Sequence, residues 1–178
     1  MKKKVAVFFG GKSTEHDISI VTAISSVISP LELSQEYEVV PVYISKEGSW
    51  YSDEKLKDIS LYRGPELKNF LEKSKKINIL FDDGLTLIKS GIRKEKIHID
   101  IAFPAMHGTY GEDGSLMGLL RMANVPIVGC DMPASVIAMD KVLAKQAVMA
   151  KGIATPKYIS FSKTDFSEST LNNIKKEL

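Results

Sequence analysis

The sequence predicts an open, mostly parallel α/β sheet, and two observations support that fold class. Short apolar runs of strand length alternate along the chain with longer segments whose apolar residues recur at helical spacing. A strand, a helix and a second strand also follow one another at the N-terminus, in the order of a right-handed βαβ unit. Because ligands bind such sheets at the carboxyl ends of the strands, we expect the functional loops to lie there.

Four buried strands are predicted as neighbours in this sheet, the third as the end of one continuous buried run over residues 97–103. A helix follows the first strand, with Thr14 predicted as its N-cap. The apolar residues of this helix recur at helical spacing at Ile18, Val21, Ile24 and Ile28. The four strands cover residues 5–9, 39–44, 99–103 and 127–128.

Residues 46–96 are predicted as an excursion from the parallel sheet. A turn at Gly48 leads into a short strand, and a short polar helix is expected over residues 65–75. The pair Asp83-Gly84 is a turn signal between two apolar runs, which predicts an antiparallel hairpin.

The last part of the chain is predicted to be largely helical. Helical runs are expected over residues 133–139 and 140–151, the second ending with Gly152 as its C′ residue. A short strand over residues 158–161 and a polar helix over residues 166–178 complete the prediction.

Composition narrows the classes of protein that the chain can represent. A hydrophobic content of 44% over 178 residues supports a packed core, and the net charge of +2 gives no sign of a nucleic-acid partner. No apolar run approaches the roughly 20 residues of a membrane span. The single cysteine, Cys130, excludes an internal disulfide and is typical of a reducing compartment. We therefore expect a soluble, cytoplasmic protein with no nucleic-acid or membrane partner.

The loop over residues 104–114 is the first candidate site. It carries three glycines, His107 and two adjacent carboxylates, and it connects a predicted strand to a predicted helix. Glycines let the backbone approach a ligand closely. A helix that begins near Gly114 would direct free N–H groups and a positive dipole end at that space, so an anion could bind there beside His107. Asp113 by itself is predicted to be an N-cap.

Glu15 is the second candidate, because it follows a double glycine at the end of the first strand. An acid in the first turn of a helix can simply favour the dipole, which accounts for Glu15 or Asp17 but not for Glu15 in this setting. Glu15 could instead hold an ammonium group while His107 and a helix N-terminus hold a carboxylate. This pair of charges would suit an amino-acid zwitterion. His16 is predicted to be a hydrogen-bonded structural residue.

Other motifs give weaker or negative signals. Gly11-Lys12-Ser13 is not a Walker loop, because the glycine required five residues earlier is Ala6. No second histidine or cysteine stands at metal-ligand spacing from His16. By composition alone, Asp140-Lys141 reads as a helix-start acid followed by an exposed lysine.

Three motifs together resemble those of D-alanine–D-alanine ligases, and they occur in the order found in that family. Residues 10–19 are similar to the N-terminal signature, and residues 103–114 to the second signature. Residues 129–135, followed by 139–141, resemble the segment that enters the ATP-grasp portion. Met117 departs from the pattern, since the family usually has glutamine there.

The resemblance implies a domain organisation. Residues 1–138 would be a Rossmann-like pre-ATP-grasp substrate domain with a mostly parallel sheet, into which residues 46–96 are inserted. Residues 139–178 would be the start of an ATP-grasp domain. The chain would thus be an N-terminal fragment, and we expect it to be inactive alone.

The resemblance also implies an activity and site residues. These ligases join two D-alanines for peptidoglycan through an acyl phosphate made with ATP. Glu15 and His107 would be the catalytic residues and would bind D-alanine together with Ser19 and Gly108. Lys141 would contact the nucleotide.

Partners and alternatives follow from the same resemblance. ATP and Mg²⁺ would be held mainly by segments that the family has beyond residue 178, so no metal ligand is assigned in this chain. A homodimer is expected. A non-catalytic binding or dimerisation module, or a ligase that uses D-lactate or D-serine as second substrate, remains an alternative.

Overall fold

The computed structural model describes residues 2–91, 94–165 and 167–177. The chain divides into two compact units, Met1–Val136 and Ile137–Leu178. The strands are β1 (Lys3–Gly10), β2 (Tyr37–Ile44), β3 (Trp50–Tyr51), β4 (Ile77–Phe81), β5 (Leu85–Lys89), β6 (Glu95–Ile99) and β7 (Ile101–Pro104). The α-helices are α1 (His16–Val21), α2 (Ser29–Glu32), α3 (Glu66–Lys73), α4 (Ser115–Met122), α5 (Met132–Met139), α6 (Lys141–Met149) and α7 (Glu168–Glu177).

The first unit is built on a four-stranded sheet in the order β3-β2-β1-β7. Strand β1 pairs in parallel with β2 on one side and β7 on the other, whereas β3 is antiparallel to β2 at the edge. Residue Ile127 adds one parallel bridge to Ala102 of β7. The predicted parallel sheet is therefore confirmed, with the fourth predicted strand reduced to that bridge.

The excursion forms a second sheet, in which β4, β5 and β6 pair antiparallel. The predicted hairpin is confirmed: Asp83 and Gly84, between β4 and β5, have φ angles of 54° and 113°. Both values lie in the left-handed region that a tight hairpin turn requires. The predicted short strand after Gly48 and the predicted polar helix are also present, as β3 and α3.

The prediction of one buried strand over residues 97–103 is wrong. Asp100 divides it, so that β6 pairs antiparallel with β5 while β7 pairs in parallel with β1. The carboxylate of Asp100 accepts a hydrogen bond from the backbone N–H of Lys4 at 2.7 Å, and its own N–H donates to the Lys4 carbonyl at 3.0 Å. The excursion consequently extends to Ile99 and not only to residue 96.

The helical segment after β1 is continuous from His16 to Glu32, but its middle turn, Thr22–Ile28, is π-helical. Ile24 and Ile28 are buried as a helical core face requires, whereas Ile18 and Val21 are exposed. Thr14 is not the N-cap: Glu15 holds that position without a side-chain capping bond, and the hydroxyl of Ser13 accepts the Glu15 N–H.

The core lies on both faces of β1, because successive side chains of a strand point to opposite faces. Phe8 packs with the excursion sheet and α4, in a cluster that includes Leu85 and Leu120. Phe9 packs on the other face with the helical segment that contains Ile28. This double burial holds the carboxyl end of β1 in place.

The second unit contains α6 and α7. Asp140 caps α6 by accepting the N–H groups of Val142 and Leu143. Helix α6 ends at Met149, and Gly152 makes the contacts of the predicted C′ residue. Its φ is 76°, its N–H donates to the Met149 carbonyl oxygen, and the N–H of Ile153 donates to the Val148 carbonyl oxygen.

The predicted strand over residues 158–161 is wrong, because the described part of this unit offers no strand to pair with it. The predicted C-terminal helix is present as α7, and its expected ends, Phe166 and Leu178, lie outside the described residues. None of the helices in the described ranges is long and apolar enough to cross a membrane.

Candidate functional site

The loops that follow β1 and β7 lie side by side. The two strands are parallel neighbours with Phe8 opposite Pro104, so both loops start at the same edge of the sheet. The hydroxyl of Ser13 in the first loop donates to the carbonyl oxygen of His107 in the second at 2.7 Å. The structure therefore brings the two predicted signatures together.

Ser19, on α1, fixes the base of both loops. Its hydroxyl is fully buried, accepts the Gly10 N–H at 2.9 Å and donates to the Ala105 carbonyl at 3.0 Å. A hydroxyl can serve both partners because it is donor and acceptor at once. Ser19 thus lies beneath the site and links the ends of β1 and β7.

The side chain of Glu15 is exposed and lies against Gly108. A Cβ atom added at Gly108 would strike the Glu15 carboxylate, so the glycine leaves the space that this acid occupies. Gly108 also has a φ of 71°, which glycine adopts without strain. Among the described residues, no side chain pairs with the Glu15 carboxylate, which leaves it available to a cationic ligand.

His107 is half-buried between the two loops. Its Nε2 lies 2.9 Å from the hydroxyl oxygen of Thr22, and its Nδ1 lies 3.7 Å from a carboxylate oxygen of Glu112. The other Glu112 oxygen accepts the Gly108 N–H at 2.7 Å. One side of the ring is therefore held by Thr22, in the π-helical turn that follows α1. The other side faces the carboxylate of Glu112.

Free N–H groups were predicted at the start of α4, but the first two N–H groups of this helix are already hydrogen-bonded within the loop. The Ser115 N–H donates to Asp113, and the Leu116 N–H donates to the Tyr110 carbonyl. The N-cap position is Gly114, one residue later than predicted, although Asp113 still binds the helix start. Burial raises the pKa of Asp113, but hydrogen bonds from the N–H groups of Tyr110 and Ser115 outweigh it and hold that pKa below its usual value.

His16 is a structural residue, as predicted. Its Nδ1 lies 2.6 Å from the Gly11 carbonyl oxygen, which can only accept, so Nδ1 carries a proton. In the neutral ring, Nε2 then accepts from the Tyr43 hydroxyl at 3.1 Å. Burial, followed by the charges of Glu47 and Asp17, raises the pKa of Tyr43, which keeps this hydroxyl protonated.

A cavity of about 900 Å³ lies apart from these loops, between the end of β2, α1 and α3. Tyr43, Tyr62 and Leu67 line it, and neither Glu15 nor His107 does. The cavity also carries a histidine and acids, His16 and Asp17 among them, but both nitrogens of His16 are already bonded within the fold. We place the site at the loops because the two predicted signatures meet there and because Glu15 pairs with no other described side chain.

The described residues do not fit a metal ion, since they contain no cluster of three or more histidine, cysteine or acidic side chains. Lys141 is exposed at the first position of α6. The N–H groups of Val142 and Leu143 are already bound by Asp140, so this helix start offers a single lysine and no cradle for phosphate.

Three residues that hold the site were not predicted as such: Ser13, Thr22 and Glu112. The sequence does carry a signal for one of them, because Glu15, Ser19 and Thr22 are spaced as i, i+4 and i+7 on one helical face. Ser13 and Glu112 act through loop geometry, which residue spacing does not reveal.

The fold is similar to the first half of several solved ligase structures. The D-alanine–D-alanine ligase from Coxiella burnetii superposes with a TM-score of 0.82 at 30% identity, covering 99% of this chain and 49% of that one. The VanG D-Ala:D-Ser ligase from Enterococcus faecalis superposes with a TM-score of 0.75 at 30% identity, covering 100% and 50%.

Sequence comparison identifies the family. Residues 4–130 match the family described as D-ala D-ala ligase N-terminus, and the chain belongs to that family. The D-alanine–D-alanine ligase of Oceanobacillus iheyensis is 34% identical over 179 residues, which cover 100% of this chain and 48% of the relative. The chain thus spans about half the length of the curated relatives that it matches. The predicted resemblance is confirmed.

Proposed function

We propose that this chain is the first half of an ATP-dependent D-alanine–D-alanine ligase for peptidoglycan synthesis. One observation supports the proposal above all others. In a chain of this family, the carboxylate of Glu15, which pairs with no side chain among the described residues, and the imidazole of His107 lie on two loops joined by the Ser13 hydroxyl. An acid beside a histidine matches the two charged ends of an amino acid.

In the proposed reaction, Glu15 binds the ammonium group of the first D-alanine, and His107 lies near its carboxylate. A carboxylate oxygen of D-alanine attacks the γ-phosphorus of ATP, and ADP leaves. The amine of the second D-alanine then attacks the acyl phosphate, loses a proton and displaces inorganic phosphate. His107 can donate a hydrogen bond to the charge that develops on these oxygens. Ser19 holds the two loops in register, and Gly108 leaves the space that the Glu15 carboxylate occupies.

In this proposal, most of the residues that bind the nucleotide lie outside this chain. ATP supplies the phosphoryl group, and Mg²⁺ would neutralise its phosphates. The described residues offer Lys141 for a phosphate but no carboxylate set for the metal. We assign those ligands to the part of the relatives that has no counterpart in this chain, and we expect the chain alone to show no turnover.

A second candidate differs only in the second substrate. The same first half is found in a D-Ala:D-Ser ligase at the same identity as in a D-Ala–D-Ala ligase. The proposed roles of Glu15 and His107 concern the first D-alanine and are therefore compatible with either product. We further propose that the ligase is cytoplasmic and forms a homodimer.

The experiment is a chimera in which this chain replaces the matched first half of the Oceanobacillus iheyensis ligase. With ATP, Mg²⁺ and D-alanine we expect ADP release and D-alanyl-D-alanine, with D-serine and D-lactate supplied as competing second substrates. Glu15→Gln should lose most of the activity. The control is Asp17→Asn, because Asp17 is a nearby exposed acid whose ion pair within the described ranges is with Lys46 at 3.2 Å. A folded, ATP-binding chimera that makes no product would contradict the proposal.

A further inference from the structure

Thr22 makes a contact that the proposed reaction does not yet use. We propose that Thr22 is a positioning residue for His107: its hydroxyl occupies Nε2 and, with the Glu112 carboxylate beside Nδ1, favours the Nδ1–H tautomer, which leaves Nδ1–H as the group presented to the ligand. The identity of that ligand rests on the proposed function, whereas the tautomer does not.

The geometry distinguishes the two ring nitrogens. Nε2 lies 2.9 Å from the Thr22 hydroxyl oxygen, within hydrogen-bond distance. Nδ1 makes no hydrogen bond to any of the described residues, and the nearest acid oxygen, on Glu112, lies 3.7 Å away. One nitrogen is therefore committed to the protein and the other is open.

The backbone on either side of the ring is also fixed. The His107 carbonyl accepts from the Ser13 hydroxyl at 2.7 Å, and the next N–H, of Gly108, donates to Glu112 at 2.7 Å. With the backbone held at both points, rotation about the side-chain bonds is the main freedom left to the ring. The bond to Thr22 removes that freedom.

The charges around the ring select the tautomer. Glu112 faces Nδ1 from the same loop, and Glu15 approaches from the β1–α1 loop, where it lies against Gly108. Carboxylates can only accept, so the acid beside Nδ1 favours a proton on that nitrogen. The neutral ring then has its lone pair on Nε2, where the Thr22 hydroxyl donates to it.

A hydroxyl is well suited to this position because it can reverse its role. When the ring takes up a second proton, Nε2–H donates to the Thr22 oxygen, and the contact persists in both charge states. In both states Nδ1 keeps its proton and makes no hydrogen bond to a described residue. It can therefore donate to an anionic oxygen, such as an amino-acid carboxylate or an acyl phosphate, without turning the ring.

The test is the ¹⁵N signature of the neutral His107 ring in the labelled chain, with His107→Ala used to assign the signals. We expect Nδ1 to show the protonated type of shift and Nε2 the unprotonated type. Thr22→Val keeps the β-branched shape and should move both shifts toward the average of two tautomers. Thr22→Ser should restore the wild-type values.

The matched control is Ser25→Val, which removes an exposed hydroxyl from the same π-helical turn and should leave both shifts unchanged. A wild-type ring protonated on Nε2, or Thr22→Val shifts equal to those of the wild type, would overturn the proposal. D-alanine is then titrated separately. Absence of any binding would count against the proposed function while leaving the tautomer result intact.

Discussion

The hydroxyl of Ser19 donates to the carbonyl oxygen of Ala105 across 86 positions of sequence, at 3.0 Å. It accepts from the Gly10 N–H at the same time, and the whole contact is buried. One small side chain therefore joins the two strand ends from which the Glu15 and His107 loops begin.

Ser19→Ala should lower the free energy of unfolding by about 1–3 kcal/mol, because it leaves a buried N–H and a buried carbonyl without this partner. Urea denaturation of the chain measures the loss. Ser25→Ala is the control: Ser25 is exposed on the same helical segment, and its loss should change stability by less than about 0.5 kcal/mol. Equal stabilities of the two variants would show that the Ser19 hydrogen bonds contribute little to the free energy of unfolding.

Gly108→Ala should displace the Glu15 carboxylate and weaken substrate binding. Gly64 provides a matched control, since its φ of 72° is close to the 71° of Gly108 and an added Cβ would meet the carboxylate of Glu66. Each variant places alanine in the left-handed region, at a cost of about 1–2 kcal/mol. Only Gly108→Ala should raise the D-alanine KM of the chimera; an equal effect of Gly64→Ala would point to general destabilisation.

Glu15→Gln should separate binding from folding. The carboxylate has no partner among the described side chains, so the melting temperature of the chain should hardly change. A charged contact to a substrate ammonium is worth roughly 1.5–3 kcal/mol, so the chimera should lose about 10- to 150-fold in kcat/KM for the first D-alanine. A lowered melting temperature with unchanged kinetics would assign Glu15 a structural role instead.

Stability should decrease at alkaline pH because two tyrosines resist ionisation in the folded state. Burial raises the pKa of Tyr43 and of Tyr62 above the usual value of 10.0. Their stabilising effect is fully present below that value and is lost above it, as the unfolded chain releases phenolic protons that the folded chain keeps. Above that pKa, each tyrosine lowers the free energy of unfolding by about 1.4 kcal/mol per pH unit.

Urea denaturation between pH 8 and 11 measures this slope. Tyr62→Phe should flatten it, whereas Tyr110→Phe, at an exposed ring, should not. An unchanged slope in Tyr62→Phe would contradict the assignment.

Much of the fold could be predicted because its signals are local. Burial of β1 on both faces, the Asp83-Gly84 turn and the Asp140 cap each follow from a few adjacent residues. The division at Asp100 could not be predicted, since a carboxylate that binds the backbone of Lys4 looks in sequence like one polar residue in an alternating strand.

The candidate site was predictable in its parts but not in its connections. Glycine spacing and the positions of Glu15 and His107 indicate a ligand loop, and strand order brings both loops to one edge. The closure of the α4 start by Asp113 and the Tyr110 carbonyl depends on the path of the loop, to which Tyr110 contributes a φ of 66°. Sequence pattern contains no information on such a path.

The division at Asp100 also bears on the order of folding. Lys4 and Asp100 are 96 residues apart, so the pairing of β7 with β1 closes a loop that contains the whole excursion. Strand β2, by contrast, pairs with β1 through a single crossover. Contacts of such long range form slowly, because the entropy of loop closure opposes them. A nascent chain with β1 and β2 already paired would therefore still lack the Glu15–His107 arrangement, which is among the last parts of this unit to become competent for a ligand.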